Sequence, residues 1–556
     1  VFGVELPLRE VFEAPTPAGL AERIAAALLR SGGFAAPPPL VPGMGEERFR
    51  ARLSYAQARL WFLDRLQPGS AFYNVPFALR LSGALDPAVF EAALDEIVRR
   101  HDALRTTFTD VGGEPWQVVA EELSIPLPVI DLSAFPEPET EARLRLAEEA
   151  ARPFDLETGP LLRALLVKLA DEEHVAVLTM HHIVSDGWSF DVLVRELAEL
   201  AAAALTGRAA RLPDLPVQYA DFARWQREWL AGEVLDSQIE RWRQALAGAP
   251  TVLELPADRP RPPVQTFRGA GVPIAFPEEL AAALRDLGRR RGVTLFMALL
   301  AGFEALLSRY TGEPDLLVGS PVANRNRAET EGLIGFFVNN LVLRADLTGD
   351  PGFDGLLGRV RANALAAYEY QDLPFERLVE ELGVERSLAR NPLFQVVFSL
   401  GSAPAGRFEL PGLTLAPVDL ETATAKTDLL LALAETQDGG LRGAWEYSTD
   451  LFDRARIERM TGHLLTLLGA AAADPSARVS DLPLLTAAEQ EQLLATHAGE
   501  APAVPGECLH EVFLERAAEA PKRTAVVFGE KSLTYGELAK LSGRLARHLA
   551  KLGVGP

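Results

Sequence analysis

Strand-like and helix-like patterns alternate from about residue 50 to 485 with no long linker between them, which argues for an α/β body. VFEAALDEIVRRH (89–101), WSFDVLVRELAELAAAAL (188–205) and TLFMALLAGFEALLSRY (294–310) carry helical spacing. HVAVLTM (174–180), DLLVGSPV (315–322), FFVNNLVLR (336–344) and FQVVFSL (394–400) read as strands. A proline-marked stretch at 212–216 separates two halves of comparable size that share no repeat in sequence.

The flanks read differently. Residues 1–30 form two short helical pieces, with Leu8, Val11 and Phe12 on one face and Leu20, Ile24 and Leu28 on another, too few to build a core alone. A Gly/Pro-rich linker follows at 31–47, and a second linker lies at 486–507. Residues 508–556 read as a helix, a strand, a turn at Gly529 and a helix opened by Thr534 with Glu537 as a capping box. The chain starts and stops within what reads as structure, as a piece of something longer would.

The formal charge of −22 makes phosphate backbones and anionic membranes poor partners for the chain as a whole. One cysteine, Cys508, excludes an internal disulfide and a four-cysteine zinc site and fits a reducing compartment. With no run of about 18 apolar residues and no signal profile at the start, a soluble cytoplasmic protein is expected.

His181-His182 is the only adjacent pair among eight histidines. It ends an apolar strand, and alternation along a strand turns the two rings to opposite faces, so one ring works while the other packs. The chain then turns through Ser185-Asp186-Gly187 into a helix whose first turn holds Trp188 and Ser189; Ser185 and Asp186 suit caps, and the first-turn amides could hold a developing negative charge. An imidazole facing a helix start can accept a proton from a nucleophile, whereas the bland alternative is a satisfied core histidine and an ordinary Asp-Gly turn. There is no G-x-S-x-G elbow, so any nucleophile belongs to a substrate. No H-E-x-x-H, phosphate-binding loop or dinucleotide fingerprint occurs, so neither a metal nor a nucleotide is expected.

MHHIVSDGWS (180–189) matches the HHxxxDG motif of the condensation domains of nonribosomal peptide synthetases. SYAQARLWFL (54–63), RHDALRTTF (100–108), YADFARW (219–225), IGFFVNNLVLR (334–344), YQDLPFERLV (370–379) and RNPLFQVVF (390–398) resemble that family's other motifs, in its order. The resemblance covers about 50–485. Residues 1–24 resemble the end of a peptidyl carrier domain and 509–556 the opening of an adenylation domain, both incomplete.

The resemblance implies two chloramphenicol-acetyltransferase-like lobes in a V with a tunnel between them. The domains it implies are a carrier fragment at 1–30, linker 31–47, a condensation domain at 48–485 (N-lobe about 48–215, C-lobe about 216–485), linker 486–507 and an adenylation fragment at 508–556. It implies peptide-bond formation between an upstream peptidyl thioester and a downstream aminoacyl thioester. Both arrive on 4'-phosphopantetheine arms of carrier domains, with no cofactor bound by the condensation domain itself and a monomer as the working state. His182 takes the catalytic position, as a general base or as a positioning group. His181, Asp186, Gly187 and Trp188 shape the site, and Arg325 is the expected partner of Asp186, with Arg327 second. His101, Arg105, Tyr55, Gln57, Arg59 and Trp61 read as fold-holding, and Asn339 and Asn340 as neighbours of the tunnel; Asn340 stands where the family usually has Thr.

The intact His pair speaks against a heterocyclisation domain, the adenylation-like sequence that follows against an epimerisation domain, and the absence of His before His101 against a dual epimerising domain. That leaves a condensation domain resembling the L-donor type. The rivals are a noncatalytic module of the same fold that recruits enzymes to carrier-bound peptides, and a free-standing acyltransferase using coenzyme A. The complete HHxxxDG motif opposes the first, and the flanks oppose the second.

Overall fold

The computed structural model describes residues 10, 11, 14, 16–21, 23, 37–385, 387–402, 408–410, 412–418, 424–436, 438–497 and 508–555. The faces assigned to Leu8, Phe12, Ile24 and Leu28 lie outside the described residues, as do residues 31–36 of the first linker and 498–507 of the second. The chain divides into two compact units, 1–484 and 485–556.

In chain order the strands of the first unit are β1 (Arg50–Arg52), β2 (Asn74–Gly83), β3 (Thr106–Val111), β4 (Glu114–Val119), β5 (Val129–Asp131), β6 (Leu162–Ala170) and β7 (Glu173–His181). Then come β8 (Gly269–Ala275), β9 (Asp315–Val322), β10 (Asn339–Asp346), β11 (Val396–Ser402), β12 (Phe408–Leu410), β13 (Leu413–Val418), β14 (Leu429–Glu435) and β15 (Leu441–Ser448). Two six-stranded mixed sheets form the body, one in the order β12-β13-β2-β7-β6-β5 and the other β10-β9-β11-β14-β15-β8.

The nearly unbroken burial of β7 explains its central place. Helix Gly187–Thr206 lays Phe190, Leu193 and Leu197 on this sheet beside Leu79, Leu81 and Leu178. In the second half, helix Leu295–Thr311 buries Met297 through Leu307 without a break and forms the centre of a larger core.

The sheets do not follow the sequence-based division at 215/216. β13 crosses back and pairs antiparallel with β2, from Leu413 opposite Gly83 to Val418 opposite Ala78. Leu413 and Leu415 face the first core, so the return both fills that core and covers a β2 edge that would otherwise expose a row of unpaired backbone groups. The end of the first linker is also fastened to the body: Leu40 is buried, Trp225 Nε1 donates to the Pro38 carbonyl at 2.8 Å and the Gly43 amide to Asp221 Oδ1 at 2.7 Å.

The second unit contains helices Ala487–His497, Leu509–Glu519 and Tyr535–Lys551, with the hairpin β16 (Thr524–Phe528) and β17 (Lys531–Thr534). The expected capping box is present: the Glu537 amide donates to Thr534 Oγ1, and the Thr534 amide to Glu537 Oε2 at 2.9 Å. Among the described residues no single helix is long and apolar enough to cross a membrane.

Candidate active site

The strand β7 ends at His181, and His182 opens a short 3-10 turn, His182–Val184. The two rings do diverge, but a turn rather than strand alternation separates them. His181 is buried between Tyr73 and Phe154, and its Nδ1 accepts from the Ile183 amide at 3.1 Å. His182 remains partly accessible and meets the Phe336 ring edge-on, with centroids 4.8 Å apart.

Two bonds fix the orientation of His182. Its amide donates to the Tyr73 carbonyl at 2.8 Å, and its Nδ1 lies 2.7 Å from the Ser185 carbonyl. A carbonyl can only accept, so Nδ1 carries the proton and Nε2 keeps its lone pair. Burial, reinforced by the nearby Lys426 cation, lowers the pKa to about 3, so the ring is neutral throughout the physiological range.

Asp186 caps helix Gly187–Thr206 in a box with Ser189. The Ser189 amide donates to Asp186 Oδ1 at 2.9 Å, so that first-turn amide is already occupied by a protein carboxylate and is not offered to a substrate anion. Arg325 Nη2 reaches the same carboxylate at 3.0 and 3.2 Å, while its Nη1 donates to the Thr330 and Leu333 carbonyls at 2.6 and 2.7 Å. Asp186 is 0% exposed and Arg325 8%. The Phe337 amide completes the carboxylate's shell at 3.1 Å.

The segment 333–337, which carries Phe336, is thus held by the first half of the chain. Ser189 Oγ accepts from the Gly335 amide at 3.1 Å while donating to Asp186, and Tyr219 Oη donates to the Phe336 carbonyl at 2.6 Å. The Ile334 amide donates to His101 Nδ1 at 3.2 Å, and the other ring nitrogen meets Glu196 at 3.1 Å. Trp188 is half-exposed, and its indole N–H donates to the Glu331 carbonyl at 2.8 Å. An added Cβ at Gly187 would meet nothing within 4 Å.

Arg105 donates to the carbonyls of Val98, Ala120, Glu121 and Arg99 and to Asp102, a structural role throughout. Gln57, on helix Tyr55–Leu66, reaches the Ile183 carbonyl at 3.3 Å and so braces the turn at 182–184. Asn339 is consumed by the Gln371 and Leu373 carbonyls and the Phe375 amide. Arg327 lies over the Trp225 ring, away from Asp186's partner position.

Sequence reasoning assigns no site role to four groups near the His pair: Tyr73 and Lys426, which lie outside the motifs, and Glu376 and Phe336, which lie inside YQDLPFERLV and IGFFVNNLVLR. Arg59, read as helix packing, makes an ion pair with Glu376 at 3.2 Å. Arg59, Tyr73, His182 and Lys426 are deeply enclosed by protein yet keep accessible surface. Among the described residues no group of three or more His, Cys, Asp or Glu side chains is placed to hold a metal.

The family model of the condensation domain matches residues 48–494. The chain belongs to this family. One polypeptide of the linear gramicidin synthase of Brevibacillus parabrevis is 48% identical over 559 residues, covering 100% of this chain and 11% of that protein. A second polypeptide of the same synthase is 47% identical over 560 residues, again over 100% of this chain but 7% of its own length. The condensation domain with its flanks therefore spans about a tenth or less of these curated relatives. Among solved structures, the X-domain in complex with OxyB from teicoplanin biosynthesis superposes with a TM-score of 0.74 at 32% identity, covering 82% of this chain and 100% of that one. A four-domain nonribosomal peptide synthetase bound to AMP and glycine gives 0.75 at 21% identity over 95% of this chain and 40% of that one, a likeness of fold.

Proposed function

We propose that this condensation domain joins an upstream peptidyl thioester to the amine of a downstream aminoacyl thioester. The observation that carries the reading is His182, its backbone amide held by the Tyr73 carbonyl and its imidazole Nδ1 by the Ser185 carbonyl, which leaves the Nε2 lone pair free on a partly accessible ring. The amine nitrogen attacks the thioester carbon, the N–C bond forms, the C–S bond breaks and a proton passes from the amine to the departing thiolate.

A base with its pKa near 3 is a weak proton carrier, so His182 acts as an orienting acceptor for the amine N–H. Alignment of two tethered and already activated reactants supplies most of the rate. His181 packs, Asp186 and Arg325 hold the helix start and the segment 333–337 together, Trp188 ties that start to Glu331, and Gly187 leaves open space beside it.

In this reading 1–30 is the end of a peptidyl carrier domain, 31–47 and 486–507 are linkers, 48–485 condenses, and 508–556 opens an adenylation domain. The two substrates ride on phosphopantetheine arms, the donor is L-configured, and the synthetase is cytoplasmic and monomeric. The complete motif at 180–189 and the oriented imidazole support catalysis over a noncatalytic recruiting module.

The test supplies the chain with a peptidyl-pantetheine thioester in both donor configurations and a loaded aminoacyl carrier, and follows the carrier by intact-protein mass spectrometry. Gain of the peptidyl mass, faster with the L donor, is expected. His182→Ala should slow transfer by less than the ~10²-fold at the low end of full proton transfer. No mass gain with wild-type protein and verified substrates would refute condensation.

A further inference from the structure

Lys426 lies outside every recognised motif, on the segment that leads into β14, yet several elements converge to fix it. Its amide donates to Glu446 Oε1 on β15 at 3.1 Å, and its carbonyl accepts from Asn391 Nδ2 at 2.8 Å. Asn391 belongs to the string RNPLFQVVF, so this motif acts in part by clamping Lys426. The ammonium lies 5.8 Å from the centre of the Tyr73 ring. That same ring is 6.2 Å from the His181 ring, and the Tyr73 carbonyl holds the His182 amide.

Among the described residues nothing accepts a hydrogen bond from Lys426 Nζ, an unusual state for an enclosed lysine. The charged and titratable groups around it are Glu446 on β15, Arg59 on helix Tyr55–Leu66 with its partner Glu376, and the two histidines. Burial and Arg59 both disfavour the ammonium, while Glu446 supports it.

We propose that Lys426 is a positioning residue of this site: its ammonium, packed on Tyr73 beside the His pair, keeps the incoming amine in its neutral form next to the neutral His182. The inference rests on the condensation reading. A neutral amine is the nucleophile, and a neutral His182 offers Nε2 to orient it. A fixed cation in a poorly solvated space opposes a second positive charge on either group, and does so with little screening by salt. The cation leaves the reaction unchanged in its bonds and acts on the fraction of bound amine that can attack.

The experiment compares wild-type chain with Lys426→Met, Lys426→Gln and Lys426→Arg across pH 5.5–9 in the carrier transfer assay. Folding of each variant is checked in parallel by circular dichroism. Loss of the cation in Lys426→Met should move the acidic limb of transfer up by about one pH unit, a roughly tenfold slower rate below the limb, while His182, kept neutral first of all by burial, stays neutral across this range. Lys426→Gln, a second neutral variant, should move the limb as Met does. Lys426→Arg keeps the charge and should keep the wild-type limb.

The proposal is overturned if whichever of Lys426→Met and Lys426→Gln is folded leaves the limb where wild type has it. It is equally overturned if Lys426→Arg shifts the limb as Met does. Wild-type chain that fails to transfer at any pH refutes the condensation reading, and this proposal with it.

Discussion

Replacing Arg325 by Met would leave the Asp186 carboxylate at 0% exposure with its hydrogen bonds from the Ser189 amide, the Ser189 hydroxyl and the Phe337 amide, but with no cation. The Thr330 and Leu333 carbonyls would lose their donors as well. Removing one member of a buried pair typically costs about 3–5 kcal/mol, because the partner stays buried and uncompensated. The surviving neutral donors hold the loss within that range. Native domains are stable by about 5–15 kcal/mol, so the variant should still fold at low temperature. Urea unfolding followed by tryptophan fluorescence should show the loss, and transfer should fall with it as the segment 333–337 loosens beside His182. The double variant Asp186→Asn/Arg325→Met should be more stable than the sum of the single losses, since no lone charge is left behind. A loss below about 1 kcal/mol for Arg325→Met, or strict additivity in the double variant, would refute the view that this pair fastens the site.

Burial holds His182 neutral down to about pH 3, so NMR should detect no titration of its ring between pH 5 and 8, and transfer should show no break attributable to it near pH 6.5. Gly335→Ala would place a Cβ 2.1 Å from Tyr219 Cδ2; forcing that ring aside should cost about 1–3 kcal/mol in urea unfolding and slow transfer through Phe336. Glu304 is 1% exposed with Oε2 unpartnered, and burial pushes its pKa well above the ordinary glutamate value. The unfolded chain releases this proton at lower pH than the folded one, so stability falls as pH rises through about 4.3 and keeps falling up to the folded-state pKa. Glu304→Gln should abolish that part of the pH dependence and raise stability at pH 8 relative to wild type, as thermal melts at pH 5 and 8 would show.

The long periodic elements are readable because each buries one face against a single core. The strand expected at 315–322 is β9, and the helix expected at 188–205 runs over Gly187–Thr206. The strand expected from FFVNNLVLR begins only at Asn339: the apolar Phe336 and Phe337 do not enter a sheet but sit in the segment that Asp186, Ser189 and Tyr219 hold. Apolar character alone does not separate a strand from a tethered segment whose backbone bonds go to side chains. The return of β13 to the first sheet has no signal in the string either, because a short strand carries no sign of which edge it will cover.

The sequence by itself determined the α/β class, the place of the His pair at the end of a buried strand, the Asp186 cap and, through ordered motifs, the family. These follow from local periodicity and short-range chemistry, which a linear string contains. The Arg325–Asp186 pair, expected through the resemblance with Arg327 as second choice, is present across 139 positions of chain. Only the tertiary structure decided that Nδ1 of His182 is protonated and that Lys426, Tyr73, Arg59 and Glu376 gather beside the turn at 182–184. A lysine in a string looks like a solvated lysine, and its charge acquires a function only when folding withdraws water and sets it beside a particular imidazole.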